Sequence, residues 1–364
     1  MDKKKILVTT DTYLPRQNDI SNFLTKIIPC LTDKFDITLL TPQFENKPEK
    51  INNTQIIRLP LSKIRDIHSK EIEKYVSETD LVFNNTTGQI GQAAIKAAKK
   101  LGKPSISYVH KIEWDAASKS AKRMRWLAEK LARNASQQTY NNCTLLLTPT
   151  KETEDVLTAN GIQTKKITIE LGTSPDKYKP PASKIAAKKK LNLPENYTII
   201  GYAGELGREK DITTLANAFI KVNNKNKNTI LMLIGEGLPA ETPAHIKIAK
   251  IGPKQNILPY LQAMDIFVLP SLTETTPINA LKAMATGIPV ITTPVGCMKY
   301  YIQDRENGMI FPRGDENILA DKIETLISDP HLTRKLGGKA RQTIQSKHRW
   351  AETVNKLTKV LERI

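Results

Sequence analysis

Short apolar runs alternate along the chain with longer stretches in which apolar residues recur every three or four positions. In the first half the runs fall at residues 5–9, 36–40, 81–84, 105–109 and 144–148, and each predicts a buried strand. Residues 21–31 and 91–100 carry helical spacing between them. Strand, helix and strand at this interval predict right-handed crossovers and a parallel sheet. Around residues 172–184 the pattern stops, and a segment with three prolines reads as an interdomain linker. The alternation restarts at residues 198–203, 229–234, 247–251, 266–269 and 290–292, and residues 350–364 predict a final amphipathic helix. The expectation is an α/β chain of two doubly wound domains, residues 1–175 and 176–345, with residues 346–364 free to cross back to the first. Two such domains facing a cleft would offer it two sets of strand C-terminal ends, where open α/β sheets bind ligands.

The chain has 364 residues, enough for two cores. No stretch approaches the roughly 18 consecutive apolar residues of a membrane span. The basic start, Met1-Asp2-Lys3-Lys4-Lys5, leads into an apolar run too short for a signal-peptide core, which reads as the first strand. Cys30, Cys143 and Cys297 lie far apart, which argues for a reducing, cytoplasmic setting and against a disulfide frame or zinc site. The formal charge of +18 fits an anionic membrane, nucleic acid or acidic substrates, and equally a set of solvated faces. No nucleic-acid motif accompanies it, so no nucleic-acid partner is expected.

Chemistry is therefore sought in the loops that follow strands. After the first strand come Thr10-Asp11-Thr12-Tyr13-Leu14-Pro15 and then Asn18-Asp19 at a helix start. Asn18 or Asp19 either caps that helix or touches a ligand, and in the second role Asp19 favours a hydroxyl over a phosphate. His110 ends the fourth run, where an imidazole suits hydrogen bonding to a sugar or proton transfer. Residues 119–133 read as a basic amphipathic helix in which Met124, Leu127, Ala128 and Leu131 share a face. With Lys122, Arg123, Arg125 and Trp126 it reads as a membrane-surface element, or as a surface helix packed on its own domain. In the second half, Gly204-Glu205-Leu206-Gly207-Arg208-Glu209-Lys210 follows a strand, and its glycines and cations suit a diphosphate. Glu274-Thr275-Thr276-Pro277-Ile278-Asn279 leads from a strand into a helix predicted near Pro277, which offers N–H groups to phosphate oxygens while Glu274 accepts from hydroxyls.

Taken together, these loops resemble the retaining enzymes of glycosyltransferase family 4 (GT4). Their fold is GT-B, an α/β arrangement of two doubly wound Rossmann-like domains facing a cleft. The resemblance covers nearly the whole chain. It rests on Asp11–Pro15 with Asn18, which looks like the opening of lipid-glycosylating members such as diacylglycerol glucosyltransferases and phosphatidylinositol mannosyltransferases. It rests also on residues 146–152, on residues 204–210, and on Glu274 with Ala283-Met284-Ala285-Thr286-Gly287-Ile288-Pro289-Val290. The resemblance implies an N-terminal acceptor domain and a C-terminal nucleotide-sugar domain. It implies hexose transfer with retention from a UDP- or GDP-linked donor to an acceptor, a lipid on the cytoplasmic face of an anionic membrane. A soluble polysaccharide acceptor, or a non-catalytic binding role, are the alternatives. His110, Arg208, Lys210 and Glu274 would be catalytic. Gly204, Glu205, Thr275, Thr276, Ile278, Asn279 and Lys282 would hold the donor, and Asn18 and Asp19 the acceptor. No DxD triplet occurs, so no obligatory metal or other cofactor is expected.

Three positions depart from the family pattern. Lys282 stands where the family has a second glutamate that accepts from the ribose, and an ammonium cannot accept a hydrogen bond. Glu205 stands where arginine is frequent, and Asp19 where glycine is usual.

Overall fold

The computed structural model of the chain describes residues 3–16, 18–43, 50–51, 54–60, 68–121, 124–236, 248–252 and 256–364. The chain forms two compact units, Met1–Glu170 with Val354–Ile364, and Leu171–Thr353. In the first, the elements run β1 (Lys4–Thr9), α1 (Asp19–Leu31), β2 (Phe35–Pro42), β3 (Lys50–Ile51), β4 (Thr54–Leu59), α2 (His68–Ser77), β5 (Leu81–Asn84), α3 (Gln89–Lys100), β6 (Ser105–Tyr108), α4 (Glu113–Ser120), α5 (Arg125–Tyr140), β7 (Leu145–Thr148), α6 (Lys151–Ala159) and β8 (Lys166–Thr168). The strand order is β3-β4-β2-β1-β5-β6-β7-β8. Strand pairing is parallel except between β3 and β4.

That order has a consequence for function. The chain builds outward from β1 on one side, then returns to place β5 on the other. The loops after β1 and β5 diverge at this switch point and leave a crevice at the strand ends. Apolar side chains fill both faces of the sheet: Ile6, Leu7 and Val8 of β1 and Val82 and Phe83 of β5 are at most 1% exposed. Helix α1 lays Phe23, Leu24, Ile27, Ile28 and Leu31 on the core. Their i, i+4 spacing is the signal read from the sequence.

In the second unit the elements are α7 (Lys184–Lys189), β9 (Thr198–Ala203), α8 (Ile212–Lys225), β10 (Thr229–Ile234), β11 (Ile248–Ile251), α9 (Leu258–Ala263), β12 (Ile266–Leu269), α10 (Ile278–Ala285), β13 (Val290–Thr292), α11 (Met298–Tyr301), β14 (Met309–Ile310), α12 (Glu316–Ser328) and α13 (Pro330–Lys347). Helix α14 (Trp350–Arg363) starts in this unit, and its last residues belong to the first. The sheet, in order β11-β10-β9-β12-β13-β14, is parallel, with its switch point between β9 and β12. Lys247, expected to open a strand, lies outside the described residues, and β11 starts at Ile248.

Two regions differ from the sequence expectation. The single helix expected over residues 119–133 is two helices. Helix α4 stops at Ser120, Ala121 is extended at ψ 124°, and Met124 is left-handed at φ 52°. A left-handed residue cannot continue a right-handed helix, and the periodic pattern carries no sign of it. Lys122 and Arg123 lie outside the described residues. The buried positions of α5 are Ser136, Thr139 and Tyr140, whereas Met124 and Leu131, expected on the apolar face, are 59% and 61% exposed. Residues 172–184 are not a free tether. Thr173 donates to the His348 carbonyl and accepts from Trp350 N, at 3.0 and 2.9 Å, and Tyr178 is buried in the second core.

Candidate functional site

In the first unit the loop after β1 delivers Asp11 to the start of α3. The Asp11 carboxylate accepts from Ile90 N at 2.8 Å, Gly91 N at 3.3 Å and the Thr86 hydroxyl at 2.6 Å. Gly88, the N-cap residue, has no side chain to do this, and a Cβ there would lie 2.3 Å from Asp11 Cγ. Asp11 is thus a cap supplied from another strand. At α1 the capping residue is Asn18: its Oδ1 accepts from Ser21 N at 2.9 Å and its Nδ2 donates to Thr12 Oγ1 at 2.7 Å. Asp19 takes the first helical position and is exposed.

His110 follows β6 and lies 3.2 Å from Asn85 Oδ1 through its Nε2. Asn85, at the end of β5, is oriented by its own Nδ2 donating to Phe83 O at 3.3 Å. That orientation makes Oδ1 the acceptor and places the ring proton on Nε2, so Nδ1 carries the lone pair. Phe23 of α1 meets the imidazole edge-on at 4.9 Å and Tyr108 lies 4.7 Å away. Burial, with the Lys111 charge beside it, pushes the imidazole down to about 3, so it is neutral near pH 7.

In the second unit the loops after β9 and β12 meet at the switch point. Gly204 has φ 156°, and a Cβ on Gly235 would sit 1.8 Å from the Gly204 carbonyl, so two backbone segments touch where only glycine fits. Tyr202 donates to Glu205 O at 2.8 Å and Leu206 N to Glu236 O at 2.8 Å, which fastens the loop at both ends. Arg208–Lys210 form a 3₁₀ turn in which Arg208 is exposed and Lys210 half-buried. Lys210 Nζ donates to Glu274 Oε1 at 2.7 Å, and Ser271 adds a bond of 3.0 Å to the same oxygen. Leu272 N to Glu209 O, at 2.8 Å, ties the two loops through their backbones.

Helix α10 starts here, with Pro277 as N-cap and no side-chain cap; Ile278 N donates to Thr276 O at 2.9 Å and Ala280 N to Pro277 O at 3.0 Å, and the positive end of the helix faces the loop. The Thr276 hydroxyl beside it is buried with no hydrogen-bond partner among the described residues. Thr275 O accepts from Cys297 N at 3.0 Å, which holds the loop against the next turn. Asn279 donates to Ala203 O at 3.1 Å and accepts from Lys282 Nζ at 2.8 Å. The Lys282 ammonium lies 5.6 Å from the Tyr178 ring centroid, within cation–π range.

The residues expected in the donor loops, Gly204, Glu205, Arg208, Lys210, Glu274, Thr275, Thr276, Ile278, Asn279 and Lys282, are therefore gathered at one switch point. Asn18, Asp19 and His110 gather at the other, His110 against Phe23 of α1. Asn85, Ser271 and Tyr178 were missed. Asn85 directly follows the run at 81–84 and Ser271 stands two positions after the run at 266–269, the kind of position that singled out His110; Tyr178 gave no such signal. Arg125 and Trp126 open α5 and are exposed. Among the described residues no group of three or more His, Cys, Asp or Glu side chains gathers to hold a metal ion. No helix among them is long and apolar enough to cross a membrane.

Comparison with known proteins agrees on both halves. The family model for Glycosyltransferase Family 4 matches residues 21–170, and that for Glycosyl transferases group 1 matches residues 183–343. EpsD of Bacillus subtilis (strain 168), described as a glycosyltransferase, is 26% identical over 87% of this chain and 81% of its own. The alpha-monoglucosyldiacylglycerol synthase of Acholeplasma laidlawii is 24% identical over 86% of each chain. HepE of Anabaena, solved in complex with UDP and glucose, shares the fold with a TM-score of 0.82 at 16% identity, over 99% of this chain and 100% of that one. With both halves matched and two doubly wound sheets in place, the chain belongs to the glycosyltransferases of GT-B fold that join a family 4 region to a group 1 region.

Proposed function

We propose that this glycosyltransferase takes a hexose from a UDP- or GDP-linked donor and passes it, with retention at the anomeric carbon, to a hydroxyl of a membrane lipid, with no obligatory metal. The observation that carries the reading is the Lys210–Glu274 pair at the second switch point, beside the start of α10, which no side chain caps. A departing nucleoside diphosphate gains negative charge as the glycosidic bond breaks. Lys210, Arg208 and the N–H groups of α10 supply fixed positive potential for it, the part a metal plays elsewhere. Glu274 orients sugar hydroxyls, and its bonds to Lys210 and Ser271 hold the carboxylate still. His110, neutral and fixed by Asn85, has one lone pair, on Nδ1, to offer to a hydroxyl at the reacting centre. HepE, solved with UDP and glucose, supports a nucleotide-sugar donor.

The lipid acceptor rests on α5. Met124, Trp126 and Leu131 are 59%, 65% and 61% exposed, and Arg125 and Lys130 stand exposed among them. Aromatic and aliphatic side chains interleaved with cations suit the interface of an anionic bilayer. The lipid-glycosylating relative from Acholeplasma supports the same reading, with the protein peripheral on the cytoplasmic face. Calorimetric titration with UDP and with GDP tests the donor half: one of them should bind saturably to the wild type and far more weakly to Lys210→Ala. If neither nucleotide binds the wild type, the donor reading fails.

A further inference from the structure

Three adjacent strand ends meet at the first switch point, those of β1, β5 and β6. A helix N-terminus at such a place is the usual anchor for a phosphate. Here both helices that start beside it are already served by the chain itself. In α1, Asn18 Oδ1 takes the Ser21 N–H at 2.9 Å, and Asp19 places a carboxylate in the first turn. In α3, Asp11 takes the Ile90 and Gly91 N–H groups and carries its own negative charge into the helix end. His110 packs on Phe23 of α1 and is held by Asn85, which directly follows β5. Its imidazole is uncharged near pH 7 because of its burial and the Lys111 charge. The cations Arg16 and Lys111 are exposed, where water and salt screen them, and the half-buried Arg58 is engaged with Leu14 O at 3.3 Å.

We infer that the first unit takes an uncharged, hydroxyl-bearing head group as acceptor and turns away the same group once it carries a phosphate. The inference rests on the transferase reading above and narrows its acceptor. A hydroxyl donates to the Asp19 carboxylate or to His110 Nδ1 and needs no cation. A phosphate in the same place finds two carboxylates, with the Ser21, Ile90 and Gly91 N–H groups already engaged, so recognition works by repulsion as well as attraction. On an anionic bilayer this separates two tasks. The basic, apolar start of α5 meets the charged surface, while the site picks the neutral lipid out of an excess of charged heads.

The test uses the full chain labelled with nitrogen-15 at histidine and saturated with UDP or GDP, whichever binds, so that the second unit's phosphate-binding loops are occupied. The His110 signal is assigned with His110→Gln, or through its contact with Phe23 if that variant does not fold. Methyl glucoside and myo-inositol are titrated against glucose 6-phosphate and inositol 1-phosphate. The neutral polyols should move the His110 signal saturably, and the phosphate esters should bind at least about tenfold more weakly. Asp19→Lys, at an exposed position, should close most of that gap. A phosphate ester that moves His110 as readily as its neutral partner overturns the inference, and so does a signal that no polyol moves. Failure of both UDP and GDP to give a binding heat is a separate result and strikes the donor reading instead.

Discussion

Lys210 and Glu274 lie 64 positions apart in the chain and 2.7 Å apart in the fold. Their side chains are 16% and 13% exposed, so water screens the pair only in part. The contact joins the loop after β9 to the loop after β12, and the backbone bond from Leu272 to Glu209 runs alongside it. A cation and an anion at a switch point, fixed by each other, are ready for a ligand that carries both phosphates and hydroxyls.

Lys210→Ala should lower turnover by about 10²–10³-fold in a radiolabelled transfer assay, because it removes the charge proposed to stabilise the leaving group. Glu274→Gln keeps the size and one acceptor oxygen and should lose about tenfold or more. A Lys210→Ala enzyme within a few-fold of wild type would take Lys210 out of the chemistry.

Asp11 and Gly88 share one contact, so their substitutions should not add. Asp11→Ala strips α3 of its cap and should cost about 1 kcal/mol of unfolding free energy. Gly88→Ala drives a methyl into the Asp11 carboxylate, which the 2.3 Å approach of its Cβ does not allow, and should cost at least as much. Chemical denaturation of both singles and the double should find the double less destabilised than the sum. Strict additivity would mean the two residues act separately.

Glu113 opens α4 and accepts from the Tyr140 hydroxyl, while its Oε2 is buried with no hydrogen-bond partner among the described residues. Burial raises its carboxyl from 4.5 to about 7, against a smaller lowering by the Tyr140 bond. The folded state therefore holds a proton that the unfolded chain releases. The resulting stabilisation is fully present below pH 4.5 and is lost as pH rises through about 7. Melting temperatures at about pH 5 and about pH 8 should show the wild type losing stability across that window more than Glu113→Gln does, with the variant the more stable at the upper end. Parallel pH profiles would contradict this.

Flotation with anionic vesicles checks the role of α5. Wild-type protein should float with them at low salt and progressively less as salt rises. Trp126→Ala combined with Leu131→Ser should remove most of the floating fraction, since both side chains are exposed and their loss disturbs no core. Unchanged flotation would move the membrane contact elsewhere.

Much of this could be read from the chain alone, for reasons that name individual elements. A strand buried on both faces has to be a short apolar run, so β1, β5, β6, β7, β9, β10 and β12 announce themselves. Strands β4, Thr-Gln-Ile-Ile-Arg-Leu, and β8, Lys-Ile-Thr, carry too much polarity to stand out, as suits strands near a sheet's edge. The break before α5 depends on one residue, Met124, in a conformation that no periodicity encodes. Site loops were legible because they follow legible strands. Their partners were not: Asn85 reaches His110 from 25 positions away, and Lys282 lies over Tyr178 from the segment that opens the second unit. Such pairings exist only once the sheet order is set.

The split membership of α14 bears on how the protein is made. Residues 354–364 belong to the first unit, where Leu357 and Leu361 are at most 1% exposed. Lys4 donates to Leu361 O at 3.1 Å, and Lys34 pairs with Glu362 at 2.7 Å. A ribosome that has released residues 1–170 has not yet made the piece that finishes the unit they form. Domains ordinarily fold in the order of synthesis. Here the first unit waits for residues 354–364 to emerge, by which time the whole of the second has been translated.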